Sequence, residues 1–116
     1  MALAIDIYRT SARFPSAERF VLAGQLKRAA VSIPSNIAEG ARRRRRLPFV
    51  FHLEVALGSQ AEVEVQLELA NELGFVDNDH YQRLRERADK VGRMLNRLID
   101  QLRSRTTNDQ RLTTND

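Results

Sequence analysis

Cysteine is absent from the 116 residues. That removes disulfide-stapled secreted modules, cysteine zinc sites and thiol nucleophiles from consideration together. Glycine and proline are scarce, at five and three, which is too little punctuation for a sandwich or barrel of many short strands. No apolar run approaches the roughly 18–20 residues that a membrane span needs, and no charged-then-apolar leader opens the chain. The expectation is a cytoplasmic domain without membrane contact. Lysine and arginine are missing altogether from residues 47–80, a stretch that carries seven acids.

What is present is one domain's worth of chain, since domains commonly run to roughly 100–150 residues. Its 42% hydrophobic content suffices for a core. The charge falls in blocks: residues 1–46 carry a net +7, residues 47–80 a net −7 and residues 81–116 a net +4. Seventeen of the nineteen cations are arginine, whose planar fork favours bidentate pairing with carboxylate or phosphate. The basic blocks suit nucleic acid. They equally suit the acidic block, within one molecule or between copies.

Four helical segments follow from the apolar periodicity. The last is the cleanest, with Tyr81, Leu84, Ala88, Val91, Leu95, Leu98 and Leu102 at alternating spacings of three and four, a heptad seam. Its start has two candidate caps: Asp77, with a Val76–Tyr81 staple, and Asp79, with Gln82 three residues on. Gly92 lies inside it and suggests close approach of a neighbouring helix. The third segment, about Pro48 to Leu73, places Leu53, Ala56, Gln60, Val63, Leu67 and Ala70 on one stripe, widened by Phe49, Leu57 and Leu73. Gly74 is a natural stop, free to take the left-handed conformation. The second segment is expected to begin at Ser16, as N-cap, with Leu22, Leu26, Ala29, Ile33, Ile37 and Ala41 on one face. Pro34 removes one backbone bond, yet the apolar period continues through it, so the sequence predicts one kinked helix. The first, Ala2 to Ala12, is short and weakly patterned around Leu3, Ile7 and Tyr8. Short turns between amphipathic segments predict an all-α, antiparallel up-and-down four-helix bundle over residues 1–105. Residues 106–116 repeat Thr-Thr-Asn-Asp, a polar tail with nothing to bury, expected to be flexible.

The string Ala30-Val31-Ser32-Ile33-Pro34-Ser35-Asn36-Ile37-Ala38-Glu39-Gly40, with Ala56-Leu57-Gly58-Ser59 and the later Glu62, Glu64, Gln66 and Leu67, resembles a known family. It is similar to the four-helix-bundle proteins encoded in intervening sequences of large-subunit (23S) rRNA, over roughly residues 5–103. The resemblance implies a ring-like homopentamer. It also implies kinship with the accessory protein of diversity-generating retroelements, a basic pentamer that partners a reverse transcriptase and nucleic acid. No catalytic residue carries over. The chain departs from the family pattern in its short first helix and in the turn after Gly40, where Arg42-Arg43-Arg44-Arg45-Arg46-Leu47-Pro48 leaves Leu47 as a poor cap.

Arg42, Arg43, Arg44, Arg45 and Arg46 are the strongest candidate site, a dense and permanently charged surface in a helix–helix connection, suited to phosphate. The alternative is a turn whose arginines pair with the acidic third helix of a neighbouring subunit, through Glu62, Glu64, Glu68 or Glu72. Arg83, Arg87, Lys90 and Arg97 add a basic stripe on the last helix, although a charged outer face is commonly only a solvated one. Ser32, Ser35, Asn36 and Glu39 around Pro34 are read as re-satisfying backbone that the proline frees. Gln60, on an apolar stripe, is read as a core polar residue that sets register. Arg46 and His52 resemble the Arg-x(4–6)-His pattern of helical-bundle ribonucleases, in which the pair polarises phosphate and moves a proton without a metal. With so many arginines the spacing has low specificity. No pair of histidines at helical spacing, no gathered carboxylates and no Gly-rich phosphate loop call for a metal or other cofactor. The expectation is a non-enzymatic homo-oligomeric scaffold whose partners are itself, RNA or DNA, and a reverse-transcriptase-type enzyme. A metal-independent ribonuclease and a purely protein-interaction ring stand as the alternatives.

Overall fold

The computed structural model describes the backbone of residues 1–18 and 21–114, and side chains at positions 1–17 and 21–105. Among the described residues the chain forms four α-helices, α1 (Ala2–Ser11), α2 (Leu22–Arg42), α3 (Arg46–Glu72) and α4 (Asn78–Thr114). The molecule is a rod of 63 × 23 × 18 Å. No described helix is long and apolar enough to cross a membrane.

Helix α3 is the middle of the assembly, with α2 along one side and α4 along the other. Its register against both is antiparallel. Asn36 of α2 meets His52, Ser32 meets Ser59, and on the other side Glu54 pairs with Arg103 while Gln60 reaches Ala88. The shorter α1 packs against α2 and α4 near the far end from the α2–α3 turn. It is tied to α4 by the Asp6–Arg87 ion pair and by Thr10 and His80. Lys27 Nζ lies 5.2 Å from the centre of the Tyr8 ring, a cation–π contact between α1 and α2.

The core follows the expected stripes. Leu22, Leu26, Ala29 and Ile33 of α2, Leu53, Ala56, Val63, Leu67 and Ala70 of α3, and Leu84, Ala88, Leu95 and Leu102 of α4 are all buried. Val50 and Ile99, outside the sequence-derived stripes, join them. Ala41, expected on the inner face of α2, is exposed. It lies in the last turn, where Gly40 makes the close approach to α3. Tyr8 is also exposed, leaving Leu3, Ala4 and Ile7 as the inner face of α1.

Helix ends show where local signals won and lost. Helix α3 closes with Gly74 at φ 80°. The Gly74 amide donates to Asn71 and the Phe75 amide to Ala70, at 3.0 and 2.9 Å, a Schellman closure. Of the two candidate caps for α4 the structure uses Asp77, whose Oδ1 accepts the His80 amide at 2.8 Å. Val76 is buried and Tyr81 half-buried, in the positions of the staple. The expected start of α2 at Ser16 is displaced: Ser16–Glu18 is a single 3₁₀ turn and α2 begins at Leu22. Buried Phe14 and Leu22 pin both ends of that segment, so tertiary anchoring overrides the serine cap. Phe14 stacks at a tilt on Phe75, 5.5 Å between ring centres, joining the α1–α2 link to the α3–α4 turn. Helix α2 runs unbroken through Pro34.

Helix α3 begins at Arg46, two residues before the expected Pro48. Pro48 falls in the first turn, where a missing N–H costs no bond. Past Arg105 the α4 backbone continues helical to Thr114, whereas the sequence predicts an unpatterned tail from residue 106. Asn115 and Asp116 lie outside the described residues. No Gly or Pro follows Gly92. Extending an existing helix needs no new nucleus, so a polar sequence can continue it.

Candidate nucleic-acid interface

The arginine turn is built by two helix ends held close together. Gly40 is buried, and a Cβ on it would lie 2.8 Å from Cβ of His52 and 2.9 Å from the Phe49 ring. Only a glycine lets α2 and α3 converge there without displacing one of those side chains. Helix α2 then ends in short bonds, Arg43 N–H to Gly40 at 3.2 Å and Arg44 N–H to Ala41 at 3.4 Å. Arg44 adopts φ 58°, the left-handed conformation that glycine usually supplies at this place. Arg45 is extended and serves as N-cap of α3 without any side-chain hydrogen bond to the helix.

The result is an exposed run of five arginines next to an uncapped helix start. An arginine side chain carries no acceptor, so it cannot cap the first amides of α3. The Leu47 amide lies at the positive end of the helix dipole beside the arginine run, while Pro48 has no N–H and the Phe49 amide donates to the Arg45 carbonyl. Arg43 is paired with Glu39 at 3.0 Å, with both side chains half-exposed. Arg42, Arg44 and Arg45 have no ion-pair partner among the described residues. A phosphate arriving here meets charge, bidentate forks and a helix N-terminus together.

Two residues of the basic stripe of α4, Arg83 and Arg87, are held against α1 and the start of α4, away from the arginine turn. Arg87 is taken by Asp6 of α1. The Arg83 guanidinium lies 3.4 Å from Nδ1 of His80, so Nδ1 accepts and Nε2–H donates to Thr10 Oγ1 at 2.7 Å. Given the Glu54–Arg103 register, a rise of 1.5 Å per residue puts Arg83 roughly 40 Å from the arginine turn. Lys90 and Arg97 are exposed. Arg97 lies in a shallow depression with Arg93, Asp100 and Arg105, on the half of α4 that runs toward the turn.

The polar residues around Pro34 form a chain of hydrogen bonds between α2 and α3. The Asn36 amide donates to the Ser32 carbonyl and hydroxyl, at 2.9 and 3.0 Å, and Ser59 donates to the same hydroxyl at 2.8 Å. Both hydrogens of the Asn36 amide are thereby used, which aims Oδ1 at Nδ1 of His52, 3.1 Å away. His52 must carry its proton on Nδ1 to donate there. Ser35 is exposed and Glu39 belongs to Arg43, so neither joins the chain. Arg46 and His52 share one helix at a separation of six, which turns them roughly 120° apart at 3.6 residues per turn. They do not converge on a common point. Among the described residues no group of three or more histidine or carboxylate side chains is placed to hold a metal ion.

Three features had no sequence signal. The left-handed Arg44 sits where nothing but arginine is written. The Thr10–His80 tether spans seventy positions. The Asn36–His52 bond depends on a register that only the folded helices set.

The architecture defines a class, the antiparallel four-helix bundle with a polar lock beside a helix-interior proline. The family model of the 23S rRNA-intervening sequence protein matches residues 1–97, and the chain belongs to that family. No curated protein matches it. Among solved structures, a protein of unknown function of the S23 ribosomal protein family from Bacteroides thetaiotaomicron has the same fold. It superposes with a TM-score of 0.73 at 24% identity, covering 83% of this chain and 87% of that one.

Proposed function

We propose that the protein is a non-enzymatic, homo-oligomeric helical scaffold that binds nucleic acid, or an enzyme acting on it, through the turn Arg42–Arg46. The observation that carries the reading is the exposure of that turn over an uncapped helix start, with three of its arginines lacking an ion-pair partner among the described residues. Recognition is of the backbone. A short turn offers phosphate contacts but no rigid element to enter a groove and read base edges, so binding is independent of sequence. The family resemblance favours a ring of five copies that presents several such turns at once, and a reverse-transcriptase-type partner. It also favours work in the cytoplasm. The ribonuclease reading gains nothing from geometry, because Arg46 and His52 face apart and His52 is engaged with Asn36.

The test is salt-titrated fluorescence anisotropy with labelled RNA and DNA, on the native protein and on a variant with Arg42–Arg46 changed to Gln, with light scattering on both. Affinity should fall several-fold or more in the variant. The log–log salt dependence should flatten by roughly 0.7–0.9 units per lost phosphate contact. Unchanged affinity with a dissociated oligomer would assign the turn to subunit pairing instead.

A further inference from the structure

Helix α3 is apolar on its outer side as well as its inner one. Leu47, Phe51, Val55, Val65 and Leu69 recur along the face opposite the buried stripe, each between 39% and 66% exposed. A row of exposed apolar side chains of this length is seldom left open on a lone protomer. The strip has no cation after Arg46; Gly58 and Glu62 interrupt it between Val55 and Val65, and Glu68 and Glu72 flank it. At its border, in a notch between α2 and α3, Oε1 of Gln66 is buried without a hydrogen-bond partner among the described residues. An orphan acceptor of that kind gains from a donor brought by something else.

The chain carries the complement on another face. On α4, Lys90, Met94 and Arg97 share one side of the helix by their three- and four-residue spacing, and Met94 is 55% exposed. An apolar knob between two cations fits an apolar strip edged by acids. From Leu47 to Leu69 the strip runs roughly 33 Å along α3, at 1.5 Å per residue. A straight helix matches that length, and a turn does not, which separates this face from the arginine run.

We propose that the outer face of α3 is the docking surface for α4 of a second copy of this chain. Met94 packs against the strip while Lys90 and Arg97 pair with the acids in and beside it. The inference rests on the self-association in the reading above and names its contact. Two different surfaces meet, so the contact is heterologous and propagates until rotation closes a ring. It also assigns Lys90 and Arg97 to subunit pairing and leaves the arginine turn free for phosphate.

Size-exclusion chromatography with light scattering at micromolar concentration tests it on the full chain. The native protein should run as an oligomer. Val65→Asp, Glu62→Arg and Arg97→Glu should each lower the mass toward one protomer, with circular dichroism unchanged because all three positions are exposed. The double variant Glu62→Arg/Arg97→Glu should regain the native mass. A monomeric native protein would overturn the self-association reading itself. An oligomer indifferent to Val65→Asp and Glu62→Arg would overturn this surface and leave self-association standing. Dissociation without rescue in the double variant would remove α4 as the occupant.

Discussion

At Arg44 the backbone holds φ 58° with a side chain attached, a conformation that costs an L-residue about 1–2 kcal/mol relative to the right-handed one. Glycine avoids that cost. Arg44→Gly should therefore stabilise the protein by about 1 kcal/mol, or roughly 4 °C in thermal midpoint for a domain of this size. Arg44→Ala should give no such gain, because a Cβ is enough for the penalty. Thermal unfolding of the two variants side by side checks this. Equal midpoints would show that the strain is relieved elsewhere. Local strain retained beside an exposed charged cluster is a common mark of a working surface, which adds weight to the arginine turn. The charge run was legible in the sequence. Its strained geometry was not, because five identical residues carry no record of which one turns.

Among the elements, the contact between α3 and α4 turns on a pair that the sequence foreshadowed separately. Gln60 is buried and its amide donates to the Ala88 carbonyl at 2.8 Å. It lies directly over Gly92, where a Cβ would come within 2.8 to 3.0 Å of the amide group. Two effects oppose each other in Gly92→Ala. Helix propensity gains about 1 kcal/mol, while displacing a buried amide from its partner costs about 1–3 kcal/mol. The second should win, so Gly92→Ala should destabilise by about 1 kcal/mol. With Gln60→Ala already present, the same change should become stabilising. A double-mutant cycle by denaturant unfolding reads the change of sign. The polar position and the glycine were each visible in the apolar pattern, as a register residue and a close approach. Their partnership was not, because it depends on the antiparallel offset of two helices. Likewise Ser16 looked like a helix start on local grounds, and burial of Phe14 and Leu22 moved the start to Leu22. Patterns of burial survive from sequence to structure. Helix ends, decided by a few competing hydrogen bonds, survive less well.

For the whole molecule, the last described buried side chain of α4 is Leu102. We expect a chain ended after Arg105 to melt within a degree or two of the full one and to keep its oligomeric mass. A large loss in either would give residues 106–116 a part in the bundle or in assembly, and calorimetry with light scattering decides it. The order of the helices also has a kinetic consequence. Helices α2, α3 and α4 follow one another through short turns and pack against their chain neighbours, so their contacts close small loops and form early. Helix α1 packs on its chain neighbour α2 and also reaches across to α4. Its bond to α4, Thr10 to His80, closes a loop of seventy positions, and at ten residues it is too short to persist alone in water. We expect it to dock last, so that the completing step is the arrival of this helix on a three-helix body already formed. Changes at Thr10 or His80 should speed unfolding and leave the folding rate nearly untouched.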